Sequence, residues 1–359
     1  MNAPLTISTP GRICLFGEHQ DYLGLPVIAA AISLRVQVSG RVKDGSQIYI
    51  DLPDVGQEIK FGISDERLAY EKPRDYFRSA YNVLLGKGLR FSNGLECHVR
   101  GNIPINSGTS SSSALVVSWL HFLSFMADNP RTFSPTELAQ MAFEAEVTEF
   151  NEPGGMMDHL ATAVGKIGYF EFEPTLSSEV LSANLGSFVL ADSLEPKDTI
   201  GVLKRAKYGR LEIIDRIKKV HPQFSLTETS ESQLPDLSPR LNPEALHLLT
   251  ETIRNRDILR QALHLFRTNT MTDEQLGDLL TQHHQILRDA LGVSTPKIEK
   301  MMHAALDAGA LGGKINGSGG GGCMFVYAPH NAQHVANAIE KTGAKCYIVE
   351  ITSGTINQT

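Results

Sequence analysis

The segment from Ala114 to Ala127, ALVVSWLHFLSFMA, constrains the fold more than any other part of the sequence. It is long enough for a helix, and such a helix would be apolar around its whole circumference, so other elements have to cover it. A chain of 359 residues, 42% of them hydrophobic, is long enough to form a core of that size. We therefore expect a globular protein, most simply of two domains, with this helix buried.

Strands and helices are predicted to alternate around the buried helix. Runs rich in β-branched residues and bounded by Gly, Asp or Pro indicate strands: LTIST, RICLFG, VIAAAISLRVQVSG, QIYIDL, LECHVRG, KIGYFEFEP, SFVLADS, CMFVYAP and KCYIVEIT. RDYFRSAYNVLLGKG has helical spacing, and Ser134 with Glu137 forms a capping box at the start of another helix. The chain is predicted to be mostly helical between Lys197 and Ala308, with an exposed loop at SLTETSESQLPDLSPRLNPEA. This order predicts an α+β fold with domains at 1–185 and 186–359.

Charge and cysteine content restrict the partners and the compartment. The formal net charge is -7 without a long Lys/Arg run, which disfavours nucleic acid and favours a small-molecule substrate. The N-terminal residues lack the pattern of a signal peptide, and no apolar run has the length of a membrane span. The four cysteines form neither a C-x-x-C pair nor a disulfide-like cluster, so we read them as buried thiols in a reducing compartment. We expect a cytoplasmic monomer or homodimer.

Four consecutive serines, Ser110 to Ser113, stand at the start of the predicted buried helix. The free N–H groups and positive dipole end of a helix N-terminus attract anions, and serine hydroxyls add donors for phosphate and oxygen ligands for Mg2+. Serine is also a favoured N-cap, so a purely capping role is the alternative. The segment is not the G-x-x-x-x-G-K-[ST] loop, because no lysine follows the glycine.

Three further segments combine polar residues or glycines in patterns that suit a ligand site. PGRICLFGEHQDY clusters polar groups able to replace water around a polyol, although a strand and turn with solvated charges is the alternative. In EAEVTEFNEPGGMMDHL two carboxylates, Glu146 and Asp158, flank a glycine turn, which suits a metal ligand and a group facing a substrate hydroxyl. Acids on a solvated helix surface would give the same composition. The run at 317–322 leads straight into a buried strand, so its glycines indicate close backbone approach rather than a linker.

Taken together and in this order, these four segments resemble the GHMP kinase superfamily, named for galactokinase, homoserine kinase, mevalonate kinase and phosphomevalonate kinase. PGRICLFGEHQDYLG is most similar to the galactokinase signature. The resemblance implies an N-terminal domain like the second domain of ribosomal protein S5 and a ferredoxin-like C-terminal domain, with the active site between them.

The resemblance also implies residue roles. It makes Asp158 the catalytic aspartate with Arg12 beside it, and Ser112 and Glu146 the ligands of Mg2+. Sugar-binding positions would be Glu18, His19, Asp21, Gly155 and Tyr208, and ATP phosphates would lie along Ser107, Gly108, Thr109, Ser110, Ser111, Ser112 and Ser113. Three features depart from the galactokinase pattern: His159 replaces the glutamine after the aspartate, Thr109 replaces a leucine, and NGSGGGGC is nearer to the mevalonate kinase form.

The activity implied is ATP-dependent phosphorylation of a sugar hydroxyl, O1 of galactose or of a related hexose. A uronic acid, another pyranose or mevalonate are alternative acceptors on the same fold. A sensor that binds sugar and ATP without turnover is a third reading, disfavoured because Arg12, Glu146 and Asp158 are all present.

Overall fold

The structure is a computed structural model that describes residues 4–105, 107–196, 199–237 and 241–358. In this part of the chain the strands form an eight-stranded and a four-stranded sheet. In chain order the strands are β1 (Leu5–Phe16), β2 (Val27–Lys43), β3 (Gln47–Leu52), β4 (Gln57–Gly62), β5 (Gly94–Gly101), β6 (Ile167–Glu171), β7 (Ser177–Leu181), β8 (Phe188–Asp192), β9 (Gly312–Ile315), β10 (Cys323–Tyr327), β11 (Lys345–Val349) and β12 (Ile356–Asn357).

Helices cover both sheets. They are α1 (Tyr76–Gly86), α2 (Ser111–Met126), α3 (Pro135–Phe143), α4 (Met157–Val164), α5 (Thr199–Val220), α6 (Leu234–Leu237), α7 (Pro243–Arg267), α8 (Asp273–Asp289), α9 (Pro296–Asp307) and α10 (Ala332–Glu340). Short 3-10 turns occur at Asp21–Leu23, Pro53–Val55 and Glu231–Gln233, and α3 continues into a π-helical turn at Glu144–Thr148. None of the helices in these ranges combines the length and the apolar content that a bilayer crossing requires.

The first sheet is organised around the long strand β2. Its order is β12-β1-β2-β5-β3-β4, and β2 also pairs with β6, which pairs with β7. Only the pairing of β3 with β5 is parallel among these strands. The first part of β2 is buried on both faces, whereas the later part alternates buried and exposed residues. The end of β1 beside that fully covered part is therefore in the interior, and it carries Arg12.

The apolar helix predicted from the sequence is α2. It packs against β1 and β2 and against α1, α3 and α4. Trp119 is 1% exposed and forms ring contacts with Phe77 and Phe122, while its indole N–H donates to the Phe77 carbonyl. The capping box of Ser134 and Glu137 is also present at the start of α3. The prediction of a buried helix is confirmed.

The second sheet has the order β11-β8-β10-β9 and is antiparallel throughout. With its helices it follows the chain order of a ferredoxin-like unit, a strand, helices, two strands, a helix and a strand. Val189 and Met324 face the core formed with α9 and α10, whereas Phe188 and Phe325 belong to the main core shared with the first sheet. The expected α+β fold, with a ferredoxin-like order in its C-terminal part, is therefore confirmed.

The described part of the predicted exposed loop at 225–245 is not uniformly exposed. Leu226 and Leu234 are buried and pack in a core with α5 and α7. The guanidinium of Arg256, itself 2% exposed, donates to the carbonyls of Leu226, Thr227 and Thr229. This buried cation satisfies loop backbone groups that water would otherwise serve, so the prediction was wrong for these residues. Residues 238–240 of the stretch lie outside the described residues.

The chain passes from the first sheet to the second between Leu181 and Phe188. Its last described residues return to the first sheet, where β12 pairs with β1 and Arg35 donates to the carbonyls of Ser353 and Gly354. The division after residue 185 stays a prediction. Cys14, Cys97 and Cys323 are buried thiols as expected, whereas Cys346 is only partly buried.

Candidate active site

A cleft with an empty volume of about 960 Å³ lies where β1, the N-termini of α2 and α4, and the turn after β9 meet. This volume includes the open mouth of the cleft and the solvent space there. Its lining contains most of the predicted site residues: Arg12, Glu18, His19, Asp21, Gly108, Ser110, Ser111, Ser112, Ser113, Glu146, Gly155 and Asp158. Segments that are far apart in the sequence thus form one site.

Arg12 holds Asp158 at the start of α4. Its Nε and Nη2 atoms donate to the same carboxylate oxygen, Oδ1, at 2.8 and 2.6 Å. Its Nη1 atom donates to the carbonyl of Gly108, and its backbone N–H donates to the carbonyl of Thr109 at 3.2 Å. Arg12 is 3% exposed, whereas the Asp158 side chain keeps 31% of its surface exposed. The aspartate is thus fixed to the segment 107–113, named here the serine loop, and is still accessible from the cleft.

The charges of this pair determine its protonation. Burial by itself would raise the pKa of Asp158, but the charge and hydrogen bonds of Arg12 outweigh burial, and the pKa lies below its ordinary value. Burial would lower the pKa of Arg12, but Asp158 and Glu18 keep it above the ordinary value. Asp158 is therefore a carboxylate at neutral pH, able to accept a hydrogen bond or a proton.

The serine loop forms the N-terminus of α2. Ser110 is the N-cap, has a left-handed backbone with a φ of 60°, and makes no side-chain capping hydrogen bond. The capping alternative is therefore not what the structure shows for Ser110. Because that cap is missing, the first-turn amides are available for an anion beside Ser111, Ser112 and Ser113, which line the cleft.

The hydroxyls of two residues predicted to contact phosphate, Ser107 and Thr109, make hydrogen bonds within their own loop. The hydroxyls of Ser107 and Thr109 lie 3.0 Å apart, and both donate to the carbonyl of Pro104, at 2.8 and 3.3 Å. Both residues are buried and neither lines the cleft. Their hydroxyls shape the loop in this structure, so their predicted contact with phosphate would have to come from the backbone.

Glu146 lies in the π-helical turn, is 7% exposed, and lines the same cleft as the serines. Its Oε2 atom is 2.8 Å from Nε2 of His159, the residue that departs from the family pattern. The described residues contain no cluster of three His, Cys, Asp or Glu side chains fit to hold a metal. One carboxylate and one hydroxyl nevertheless suit Mg2+, which usually takes few protein ligands and fills its shell with water and phosphate oxygens.

Asp21 and Gly155 fit against each other. The Asp21 Oδ2 atom accepts from the backbone N–H of Met157 at 3.2 Å. A Cβ atom on Gly155 would lie 1.8 Å from that same oxygen, so no other residue fits there unless Asp21 moves. Burial, opposed by the Met157 N–H and aided by the charges of Asp158 and Glu18, raises the pKa of Asp21 to about 6. Three carboxylates thus gather on one side of the cleft.

Glu18 is bound by a lysine of the second sheet, a contact that the sequence motifs did not indicate. Its Oε2 atom accepts from Nζ of Lys314 at 2.8 Å and from the N–H of Gly317 at 3.0 Å. Lys314 lies on β9, is fully buried, and also donates to the carbonyl of Cys14. In the sequence, the position of Lys314 between two glycines and a buried strand was the one signal that could have marked it. Its partner Glu18 is 296 residues away, so this signal does not identify the pair.

His19 is held from three sides. Its Nδ1 atom is 2.8 Å from the Tyr22 hydroxyl, its Nε2 atom is 3.1 Å from the Ser318 carbonyl, and its own carbonyl accepts from Arg210. Arg210 lies on α5 and is 2% exposed. Tyr208, the predicted sugar-binding residue of that helix, is 54% exposed and does not line the cleft, so the structure does not bring it to the site.

The glycine-rich turn after β9 is packed against the serine loop. The Asn316 side chain donates to the carbonyl of Gly108 at 2.8 Å and accepts from the N–H of Cys14 at 3.0 Å. A Cβ atom on Gly317, whose φ is 76°, would lie 2.8 Å from the Gly108 carbonyl oxygen. The N–H of Cys323 donates to the Ser107 carbonyl at 2.6 Å. The close backbone approach predicted from the glycines is therefore present, and its partner is the serine loop.

The sequence motifs did not include three residues at the mouth of the cleft, Arg74, Tyr76 and Glu152. The Nη2 atom of Arg74 donates to Oε2 of Glu152 at 2.8 Å, and its Nε atom also donates to that carboxylate. Burial and the nearby charge of Glu146 raise the pKa of Tyr76. Arg74 stands in the left-handed region with a φ of 57°, which nothing in its sequence context indicates.

Family comparisons agree with this fold and cleft. Residues 75–166 match the GHMP kinases N terminal domain, and residues 262–345 match GHMP kinases C terminal. The chain belongs to the GHMP kinases and is a GHMP-type phosphotransferase. Within that class, residues 2–42 match the galactokinase galactose-binding signature.

Relatives with two different activities are similar to the chain over almost its whole length. The mevalonate kinase of Pyrococcus abyssi is 28% identical, covering 96% of this chain and 95% of its own. The galactokinase of Haemophilus influenzae strain PittEE is 27% identical, covering 94% and 90%. Among solved structures, the galactokinase of Lactococcus lactis complexed with galactose has a TM-score of 0.84 at 23% identity, covering 99% of this chain and 95% of that one. These similarities leave the acceptor open.

Proposed function

We propose that the protein transfers the γ-phosphoryl group of ATP to a hydroxyl of a neutral hexose, O1 of galactose or of a related sugar. The observation that carries the proposal is the position of Asp158. It is held by Arg12 through one oxygen, is accessible from the cleft, and lines that cleft together with Asp21 and the serines at the N-terminus of α2. Phosphoryl transfer needs this arrangement of an anion site, a proton acceptor and a bound hydroxyl.

In this proposal Asp158 orients the attacking hydroxyl and accepts its proton. The lowered pKa keeps it ionised at neutral pH but makes it a weak base, so the proton moves late, as the oxygen–phosphorus bond forms. Arg12 fixes the carboxylate relative to the phosphate loop by donating to Asp158 and to Gly108. One side chain, Arg12, thus positions both Asp158 and the loop that we propose holds the phosphates.

The loop from Ser107 to Ser113, which leads into the first turn of α2, would receive the phosphates of ATP. Mg2+ would be held by Ser112 and Glu146, and it supplies neutralisation of phosphate charge. The fit rests on the uncapped first turn of α2 and on the buried Glu146 side chain, which lines the same cleft. The His159 ring holds Oε2 of Glu146 and leaves the other carboxylate oxygen free of that ring.

The acceptor side of the cleft favours an uncharged polyol. Glu18, Asp21 and Asp158 are hydrogen-bond acceptors suited to hydroxyl groups. The two arginines among the lining residues are already paired, Arg12 with Asp158 and Arg74 with Glu152. A carboxylated acceptor would place another negative charge beside these acids, which costs binding energy unless a cation is recruited. The galactose-binding signature and the galactokinase relatives support the same choice.

Mevalonate is the second candidate because mevalonate kinases are among the most similar relatives over the whole chain. The turn NGSGGGGC also resembles the mevalonate kinase form. For this acceptor a cation has to face the substrate carboxylate, and Arg74 would have to leave Glu152 to provide one.

A coupled assay of ADP release over a panel of hexoses, uronic acids and mevalonate tests the proposal. We expect galactose or a related neutral hexose to stimulate ADP release, with the product carrying phosphate on O1. Stimulation by mevalonate alone would replace the first candidate by the second. Absence of stimulation by every acceptor, with ATP binding intact, would support a sensor.

A further inference from the structure

His159 is buried beside the carboxylate of Glu146. Its Nε2 atom lies 2.8 Å from Oε2 of Glu146, and the two residues are 1% and 7% exposed. Within the described residues, no other group makes a hydrogen bond to the Glu146 carboxylate. The orientation of that carboxylate in the cleft therefore depends on one contact, and the contact comes from α4.

Chemistry at the two ends gives this hydrogen bond its direction. An ionised carboxylate has no hydrogen, so Nε2 of His159 donates and Oε2 of Glu146 accepts. The other ring nitrogen of His159, Nδ1, is buried and has no hydrogen-bond partner in the described part of the chain. A buried polar ring is stabilised only by the partners that it finds, so the polar role of His159 falls on Glu146.

Packing holds both ends of the hydrogen bond in place. The His159 ring meets the ring of Phe143 on α3 edge-on, with the centroids 5.7 Å apart. Glu146 follows α3 in the π-helical turn, where the Ala145 carbonyl accepts from the Ser79 hydroxyl of α1 at 2.7 Å. The donor and the acceptor are thus positioned by elements of the fold rather than by each other.

We propose that His159 is a positioning residue that holds Glu146 through Oε2, so that Oε1 is the oxygen presented to Mg2+ in the cleft. This inference rests on the proposed function, in which Mg2+ is held by Ser112 and Glu146. Hydrogen bonds from residues behind the ligands orient ligating carboxylates, and loss of such a bond lowers metal affinity by about 10- to 100-fold. The ring therefore contributes to metal binding without touching the metal.

The first turn of α4 connects this contact to the group that receives the proton. Asp158 and His159 are consecutive residues of that turn. The Asp158 side chain is 31% exposed and lines the cleft, whereas His159 is buried against α3. Because both side chains depend on the same backbone, the position of Glu146 relative to Asp158 is determined by α4.

Substitutions at His159 separate the donor from the bulk of the ring. In His159→Gln the amide nitrogen can donate from nearly the reach of Nε2, whereas His159→Met fills a similar volume without a donor. His159→Asn keeps a polar amide that is too short to reach Glu146, and it replaces His159→Met if that variant does not fold.

His284 provides a matched control outside the cleft. It is 3% exposed, and its Nε2 atom lies 3.0 Å from Oε1 of Glu299. His284→Met therefore removes a second buried hydrogen bond between a histidine and a carboxylate, and it leaves the contact of His159 with Glu146 in place.

Titration with Mn2+, followed by electron paramagnetic resonance with a nonhydrolysable ATP analogue and without any acceptor, tests the proposal. We expect the dissociation constant for Mn2+ to increase about 10-fold or more in His159→Met and in His159→Asn, and to stay near the wild-type value in His159→Gln and His284→Met. Unchanged affinity in His159→Met overturns the proposal, and so does an equal loss in His284→Met. Tighter binding in His159→Met also overturns it, because the ring would then compete with the metal for the carboxylate.

A double-mutant cycle tests whether His159 acts through Glu146. In a Glu146→Ala background His159→Met should change the Mn2+ affinity little, whereas independent effects would multiply. An equal loss in both backgrounds overturns the positioning role. If Glu146→Ala alone leaves the affinity unchanged, the metal site of the proposed function fails. If Glu146→Ala weakens binding and His159→Met does not, only the inference about His159 fails.

Discussion

Arg12 and Asp158 are joined by two hydrogen bonds that end on a single carboxylate oxygen, Oδ1. The same guanidinium donates to the Gly108 carbonyl in the serine loop. A planar guanidinium can make these contacts at once because its donors point in fixed directions. The relative position of Asp158 and the serine loop therefore depends on one buried side chain.

Replacing Arg12 separates its geometric from its electrostatic contribution. Both Arg12→Lys and Arg12→Met lose the fork that positions Asp158, and we expect kcat to fall about 100-fold in each. Only Arg12→Met removes the charge that opposes burial, so the pKa of Asp158 should rise and the acid limb of the kcat profile should move to higher pH. The measurement is kcat against pH for both variants. Identical acid limbs would show that the Arg12 charge does not depress that pKa.

Asp21 should make acceptor binding sensitive to pH. Its pKa is raised to about 6, so it loses its negative charge as the pH falls through that value. We expect kcat/KM for the acceptor to decrease below this pH, with the KM for ATP unaffected. In Asp21→Asn, kcat/KM for the acceptor should be low and should not show this decrease as the pH falls. A limb that persists in Asp21→Asn belongs to another group.

The same shift has a consequence for stability. A folded-state pKa above the ordinary 3.8 means that ionising Asp21 costs folding free energy, so its contribution is present at low pH and lost as the pH rises through about 6. Asp21→Asn should therefore unfold at a higher temperature than the wild-type protein at neutral pH, with a smaller difference at about pH 4. Thermal unfolding at the two pH values checks this sign.

Adjacent glycines provide a test of the fit between Gly155 and Asp21. In Gly155→Ala the new methyl group would lie 1.8 Å from the Asp21 carboxylate and displace it. In Gly154→Ala the nearest atom, Cγ2 of Val147, would be 3.6 Å away, an ordinary contact. We expect the acceptor KM to rise at least about 10-fold in Gly155→Ala, the loss of roughly one charged hydrogen bond, and to stay near the wild-type value in Gly154→Ala. Equal effects of the two substitutions would contradict the assignment.

Glu146 should control the requirement for Mg2+. Glu146→Gln removes a charged ligand, so the Mg2+ concentration that gives half-maximal rate should increase about 10-fold or more. Glu144→Gln is the matched control, because Glu144 lies in the same π-helical turn but has its side chain 43% exposed and faces Lys87. Direct titration with Mn2+ by electron paramagnetic resonance, with a nonhydrolysable ATP analogue, gives a readout besides activity. An unchanged metal affinity in Glu146→Gln would remove Glu146 from the metal site.

The sequence predicted those parts of the fold that depend on local rules. The capping box of Ser134 and Glu137 and the start of α2 at the serines follow from propensity and spacing within a few residues. Strands β4, β7 and β12 were missed because they are polar and owe their structure to pairing with a neighbour. Burial of Leu226 was missed because the cation that serves its backbone, Arg256, is on α7.

The order of the motifs identified most residues of the candidate site, but not the contacts between the parts that come from the two sheets. The ion pair of Glu18 with Lys314 joins residues 296 positions apart, and neither residue type indicates the other. A motif also could not predict which face of α5 is directed toward the site. Positions two apart in a helix face different directions, and Arg210 is buried whereas Tyr208 is exposed. Such pairs are determined by tertiary packing.

Asp158→Asn gives the most direct test of the account, with ADP release and ATP binding measured on the same preparation. The amide is close in shape but cannot accept the proton, so we expect turnover with the hexose acceptor to fall by at least about 1,000-fold and the affinity for ATP to stay within about twofold of wild type, since Asp158 lies on the acceptor side. A variant that keeps most of its rate would contradict the role of Asp158 as the group that receives the hydroxyl proton.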